Sequence, residues 1–201
     1  MTETIKLVQK KLGVTVDGIA GQKTWAAIAK ALGVSATTVP ASSKTSWPTQ
    51  AQVRKGTSIF GKPGDESNLV NIKSAYQLYY CGTPVKTIRV HKAIAKDVQA
   101  ALSEILAHYG QAKIKALGLD QYSGSYNYRK STNGSSLSMH AWGIALDFAA
   151  EKNTYSMKKP QASLSKPECE MWWKIWEKHG AVSLGRECNY DWMHLQFAKL
   201  K

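Results

Sequence analysis

Two stretches of this 201-residue chain combine imidazole and carboxylate at spacings that suit metal chemistry. In Ser138-Met-His-Ala-Trp-Gly-Ile-Ala-Leu-Asp147, His140 precedes a run in which the large residues Ile144, Leu146 and Phe148 alternate with Gly143, Ala145 and Asp147. The alternation predicts a short strand with one face in a core, the other face being small and ending in a carboxylate. His140, on the loop before this strand, can swing over the same space, so the stretch offers two of the three protein ligands of an open, catalytic zinc site. The third ligand must come from elsewhere. Asp191-Trp-Met-His194 is the natural source, the one stretch in which a histidine has a carboxylate three residues away. Hydrolysis at a metal also needs a general base that is not itself a ligand. His194 and Asp191 can fill these two roles, and spacing alone equally permits Asp191 as ligand with Asp147 as base.

Ser-x-His-x-x-Gly-x-Ala-x-Asp followed by Asp-Trp-x-His resembles the zinc peptidases that include D-alanyl-D-alanine carboxypeptidases and phage L-alanyl-D-glutamate endopeptidases, which cut the stem peptides of peptidoglycan. The resemblance implies one zinc ion per chain on His140, Asp147 and His194, with Asp191 as base and Ser138 hydrogen-bonding near the site. It also implies a role for Ser125-Tyr-Asn-Tyr-Arg129, which lies upstream of the first ligand as the family's arginine-bearing segment does. Arg129 would polarise the scissile carbonyl and hold the oxyanion, a charge-assisted donor where negative charge develops. Some relatives place a glutamine shortly after this arginine; Lys130-Ser-Thr-Asn-Gly134 offers Asn133 instead. Trp142 and Tyr126 are candidates either for walls of the substrate cleft or for core. His91, His108 and His179 lack carboxylates at useful spacing and are expected to be structural.

The resulting expectation is an endolysin-type zinc metallopeptidase that degrades the bacterial cell wall, with the L-alanyl-D-glutamate bond favoured. A D-alanyl-D-alanine carboxypeptidase can share the same zinc and base residues, and a non-catalytic zinc protein that binds cell wall is the other alternative. Charge agrees with an anionic partner: 27 basic against 14 acidic residues leave a net +13, as suits an envelope rich in phosphate and carboxylate. Nucleic acid would be served by the same charge, but zinc-finger, glycine-loop and aromatic-basic sheet motifs are missing from the sequence. The partner expected is therefore peptidoglycan, met by a monomer. The N-terminal sequence lacks an apolar signal region, and no run of about 18 apolar residues suggests a membrane span. Synthesis in a host cytoplasm, with action at the wall or periplasm after release, is the corresponding expectation.

The elements that must position these groups fall into three parts. Residues 1–34 predict two short helices around a turn, with Ile5, Val8 and Leu12, then Trp25, Ile28, Ala29 and Leu32, at helical spacing. Leu7-Val-Gln-Lys-Lys-Leu12, Val16-Asp-Gly18 and Gly21-Gln-Lys-Thr-Trp25 resemble a short form of the helical peptidoglycan-binding module. Residues 35–46, rich in Ser, Thr and Ala, predict a flexible linker. Residues 47–201 are expected to form the catalytic domain, an α+β fold with a small antiparallel sheet and helices packed on one side. Within it the spacing predicts a hairpin over 75–91, with strands 76–80 and 85–90, and a helix over 92–109 stopped by Gly110. Candidate strands follow at 114–119 and 122–128, then a second helix opened by a capping box at Ser165-Lys-Pro-Glu168 and carrying Trp172, Ile175, Trp176 and His179 on one face. The odd set Cys81, Cys169 and Cys188 argues for reduced thiols, with one Cys169–Cys188 bridge still open.

Overall fold

The computed structural model describes residues 2–18, 22–33, 47–132 and 134–201, and the chain divides into two compact units, Met1–Ser43 and Lys44–Lys201. The expected linker at 35–46 lies outside the described residues.

The first unit contains α1 (Thr2–Lys11) and α2 (Gln22–Ala31). Glu3 in the first turn of α1 and Lys10 and Lys11 in its last turn match the helix dipole. One polar side chain, Gln9, links the described parts of this unit. Gln9 is 1% exposed, its amide nitrogen donating to Asp17 Oδ1 (2.7 Å) and Thr24 Oγ1 (3.0 Å) while its Oε1 accepts from Gly18 N (2.9 Å). Gln9 thus ties α1 to the Asp-Gly turn and to α2. Trp25 and Leu32, expected on an inward face, are 59% and 71% exposed, because two ten-residue helices offer little surface to cover them.

The second unit is built on a four-stranded antiparallel sheet in the order β5-β6-β8-β7, from β5 (Tyr122–Gly124), β6 (Ala145–Phe148), β7 (Val182–Ser183) and β8 (His194–Gln196). Its core face is apolar. Phe148 of β6 meets Trp172 and Trp176 of α5 (Glu170–Lys178) at ring-centroid distances of 5.4 and 5.9 Å, and α5 packs against α4 (Ala95–Leu117). Trp172, Trp173 and Trp176 are all buried. The α+β class with small antiparallel sheets is therefore observed.

Several local expectations change. The stretch expected as one strand over 85–90 is divided: β2 (Leu78–Tyr80) pairs with β3 (Thr83–Val85), while β4 (Ile88–His91) pairs with β1 (Leu69–Ile72). Cys81 and Gly82, both at positive φ, form the two-residue turn between β2 and β3, as a primed hairpin turn requires. Gly110 interrupts α4 with φ 70° and ψ 156°, but the helix resumes beyond it. Residues 114–117 are consequently helical rather than a strand, with Ile114 buried; a short apolar run fits either period. No capping box opens α5, because Ser165 Oγ donates to Ala162 O instead and short 3₁₀ turns lead into the helix. The cysteines are free, Cys169 buried and Cys188 exposed. Among the described residues no helix is long and apolar enough to cross a membrane.

Candidate metal centre

Strand register creates the site. Asp147 of β6 and His194 of β8 are direct Cα partners across the antiparallel pair, so their side chains are neighbours without any long-range search. His140 arrives from the other side, on the 3₁₀ turn Met139–Trp142, which is capped by Ser138 through His140 N to Ser138 Oγ. The turn must then enter β6 in very little space. Gly143 does this at φ 68°, where a Cβ would lie 2.6 Å from Leu69 Cδ2 and 3.2 Å from His91 N, and its carbonyl accepts from His91 N. Only glycine combines that backbone with that approach.

The three side chains converge on one point, with ligand atoms all within 4.8 Å of one another. His140 Nε2 is 3.2 Å from Asp147 Oδ2 and 3.2 Å from His194 Nδ1, and His194 Nδ1 is 3.1 Å from Asp147 Oδ1. Outer partners fix both tautomers. The Ser125 carbonyl can only accept, so the His140 Nδ1 facing it carries a proton. Gln196 has its amide nitrogen committed to Ala198 O and its Oε1 to Gln50 Nε2, so that oxygen accepts from His194 Nε2 at 3.2 Å. Both inner nitrogens, His140 Nε2 and His194 Nδ1, are then lone pairs facing each other beside a carboxylate. Such a group is satisfied by a cation, whether proton or metal, and carbonyl- or amide-oriented histidines with a carboxylate are how proteins hold divalent metals.

The electrostatics agree. Burial opposes ionisation of Asp147, but the charges of His140 and His194 and their hydrogen bonds outweigh it and hold the carboxyl well below the usual range. Burial likewise disfavours the His194 cation, yet Asp147 outweighs it and lifts the ring above its ordinary value. These buried residues can hold a metal ion.

Asp191 lines the same cleft and behaves differently. Its Oδ1 is buried with no hydrogen-bond partner among the described protein groups, and burial pushes its carboxyl above the ordinary value. Its backbone is left-handed, φ 53°, pinned by Asp191 N to Tyr155 O and by His194 N to Asp191 O. A strained, desolvated, unpaired carboxylate beside a cation site is a signature of function rather than of stability.

Arg129 reaches the cleft because residues 125–129 run alongside the 138–140 segment: Ser125 O meets the His140 ring, Asn127 N donates to His140 O, and Ser138 N donates to Arg129 O. Ser138 and Arg129 both line the cleft. Two proposed wall residues do not. Trp142 is 2% exposed, with its indole N–H donating to Gly61 O, so it belongs to the core. Tyr126 is held away from the cleft, its ring under the Arg89 guanidinium and its hydroxyl donating to Glu66. Asn133 lies outside the described residues. His91, His108 and His179 stay apart from the centre: His91 is buried against Phe60, His108 meets Tyr109 edge to face and His179 pairs with Glu104.

Sequence reasoning missed Gln50, Arg54, Tyr155, Tyr190 and Gln196, all of which line the cleft. Gln196 carried a usable signal, since a polar residue two positions beyond His194 on the same strand shares its face. No protein-family model, no curated protein and no solved structure matches this chain.

Proposed function

We propose that this chain is a zinc-dependent peptidase that hydrolyses an amide bond of the peptidoglycan stem peptide, with the L-alanyl-D-glutamate bond favoured. The observation that carries the reading is the pairing of a three-donor cation site with a separate carboxylate, Asp191, whose Oδ1 is buried and without a hydrogen-bond partner among the described residues. His140, Asp147 and His194 would hold zinc, since two imidazoles and a carboxylate match the donor set of open catalytic zinc sites. Zinc, when bound, supplies Lewis acidity that activates water and polarises a carbonyl.

The remaining work falls to the chain's own groups. Asp191, whose oxygen has no competing donor and whose proton affinity burial has raised, takes the proton of the attacking water and returns it to the departing amine. Arg129 donates to the carbonyl oxygen as negative charge grows on it. Ser138 holds the His140 turn in place. The motif resemblance supplies the substrate class, and the basic net charge of +13 suits an anionic wall. The Met1–Ser43 unit would act as a wall-binding module, raising the local concentration of the peptidase unit.

The test is mass spectrometry of fragments from defined muropeptides after incubation with the zinc-loaded chain. Cleavage between L-alanine and D-glutamate, abolished by chelator and restored by zinc, is expected. Intact muropeptides in the presence of metal-loaded, folded chain would refute the reading.

A further inference from the structure

The cleft holds a second cation that the proposed chemistry leaves unused. Arg54 lies at the end of α3 (Gln50–Arg54) and lines the cleft with Arg129. Among the described residues the only acids lining it are Asp147, one of the three metal donors, and Asp191. Among the described residues neither arginine has a carboxylate partner within ion-pair distance. Arg54 Nε donates to Leu137 O (3.2 Å), immediately before Ser138, and its two terminal nitrogens have no acceptor among the described residues. The edge left free is the pair of terminal N–H groups, which is the edge that grips a carboxylate bidentately.

The helix that presents it is short but rigidly held. Thr49 and Gln52 form a reciprocal capping box, Val53 is fully buried, and Gln50 N donates to Lys199 O at 2.8 Å. Gln50 Nε2 also reaches Gln196 Oε1 (3.2 Å), the oxygen that orients His194. One helix therefore supports a metal ligand and carries a guanidinium to the same cleft.

We infer that Arg54 is a specificity residue that binds the α-carboxylate of the substrate residue on the amine side of the scissile bond. The inference rests on the stem-peptide reading above. In that reading the residue released at its amine is D-glutamate, which continues the stem through its side chain and leaves its α-carboxylate free. A carboxypeptidase releasing a terminal D-alanine would present the same group. Neutralising that carboxylate as a carboxamide removes the charge that Arg54 reads while leaving the scissile amide unchanged.

The experiment compares kcat/KM for two stem peptides that differ only in bearing D-glutamate or D-isoglutamine, using the full zinc-loaded chain as wild type, Arg54→Gln and Arg54→Lys, each with zinc content measured. Wild type should prefer the carboxylate by about 10- to 100-fold, the usual worth of a charge-assisted hydrogen bond, expressed mainly in KM. Arg54→Gln should bring the preference to within about threefold, and Arg54→Lys, which keeps charge but not the fork, should fall between. A merely structural role would lower both substrates and keep their ratio. A ratio preserved in Arg54→Gln, or equal use of both substrates by wild type, overturns the assignment of Arg54 while leaving the peptidase reading intact. Failure of wild type to cut either peptide overturns the stem-peptide reading itself, and Arg54's role with it.

Discussion

Replacing Asp191 with asparagine separates the proposed base from the proposed ligands. Asparagine tolerates the left-handed backbone that Asp191 adopts at φ 53°, so the substitution changes charge and basicity without asking the chain to move. A positioned general base is worth roughly two to four orders of magnitude, or about 2.7–5.5 kcal/mol of barrier, and turnover should fall by that much. Zinc content should remain one per chain. Stability supplies an independent check. Burial raises the folded-state value of Asp191 above its unfolded value, so its contribution favours folding below the unfolded value and is lost as pH rises through the folded one. The metal-free wild type bears the cost of a buried Oδ1 without a hydrogen-bond partner among the described residues, typically about 1–3 kcal/mol. The metal-free Asn variant should therefore melt no lower than wild type, and higher by roughly 2–4 °C for each kcal/mol relieved. Inductively coupled plasma measurement of zinc, calorimetry of the metal-free chain and single-turnover kinetics together read all three quantities. Zinc lost from Asp191→Asn but retained by Asp147→Asn would reverse the roles of the two carboxylates.

Three other perturbations probe the frame around the site. Gln196→Ala removes the acceptor that fixes the His194 tautomer; metal affinity measured by chelator competition should drop about 10- to 100-fold, and an unchanged affinity would show that His194 is oriented by its strand alone. Gly143→Ala puts a Cβ 2.6 Å from Leu69 Cδ2 at φ 68°, and should cost about 1–3 kcal/mol in denaturant unfolding as left-handed strain, with a wild-type midpoint counting against the tight turn into β6. A chain beginning at Trp47 should fold and cut soluble muropeptides as the full chain does, because Lys44–Lys201 is a compact unit by itself; an unfolded product would place the N-terminal helices in the core.

Legibility in the sequence followed the range over which each signal acts. The alternation of Ile144, Leu146 and Phe148 is local and strongly periodic, and β6 lies where that pattern predicts, with Asp147 on the cleft side. His140 and His194 stood out because each has a carboxylate at a spacing that suits metal chemistry, within a motif that resembles a zinc-peptidase family. The helix past Gly110 was obscured because glycine breaks it locally, whereas Ile114 gains its burial only from tertiary packing. Trp142 and Tyr126 were ambiguous for a related reason. An aromatic ring serves a core or a cleft equally well, and only its neighbours, Gly61 for one and Arg89 with Glu66 for the other, decide. Arg54 and Gln50 had no signal of their own. They sit more than 80 residues from the ligands in sequence, and a contact such as Arg54 to Leu137 spans a separation of 83.

The proposed division of labour within the cleft, metal ligands on the sheet and base beside it, has a physical logic. Asp147 and His194 are register partners in the middle two strands of the sheet, and His140 is clamped by Ser125 and by the turn at Gly143. A metal's geometry must be held within tenths of an ångström, which sheet pairing provides and a loop does not. Asp191 instead sits on an irregular segment, between the left-handed Asn189 and β8, tied through its N–H to Tyr155 on the facing loop. A base needs a high proton affinity and an unpaired lone pair, both of which regular pairing would remove. Strain and desolvation at Asp191 are tolerable because the neighbouring sheet, with Phe148 and the α5 tryptophans behind it, supplies the stability that this corner gives up. Changing Asp147 should therefore be felt first in metal content, and changing Asp191 first in rate.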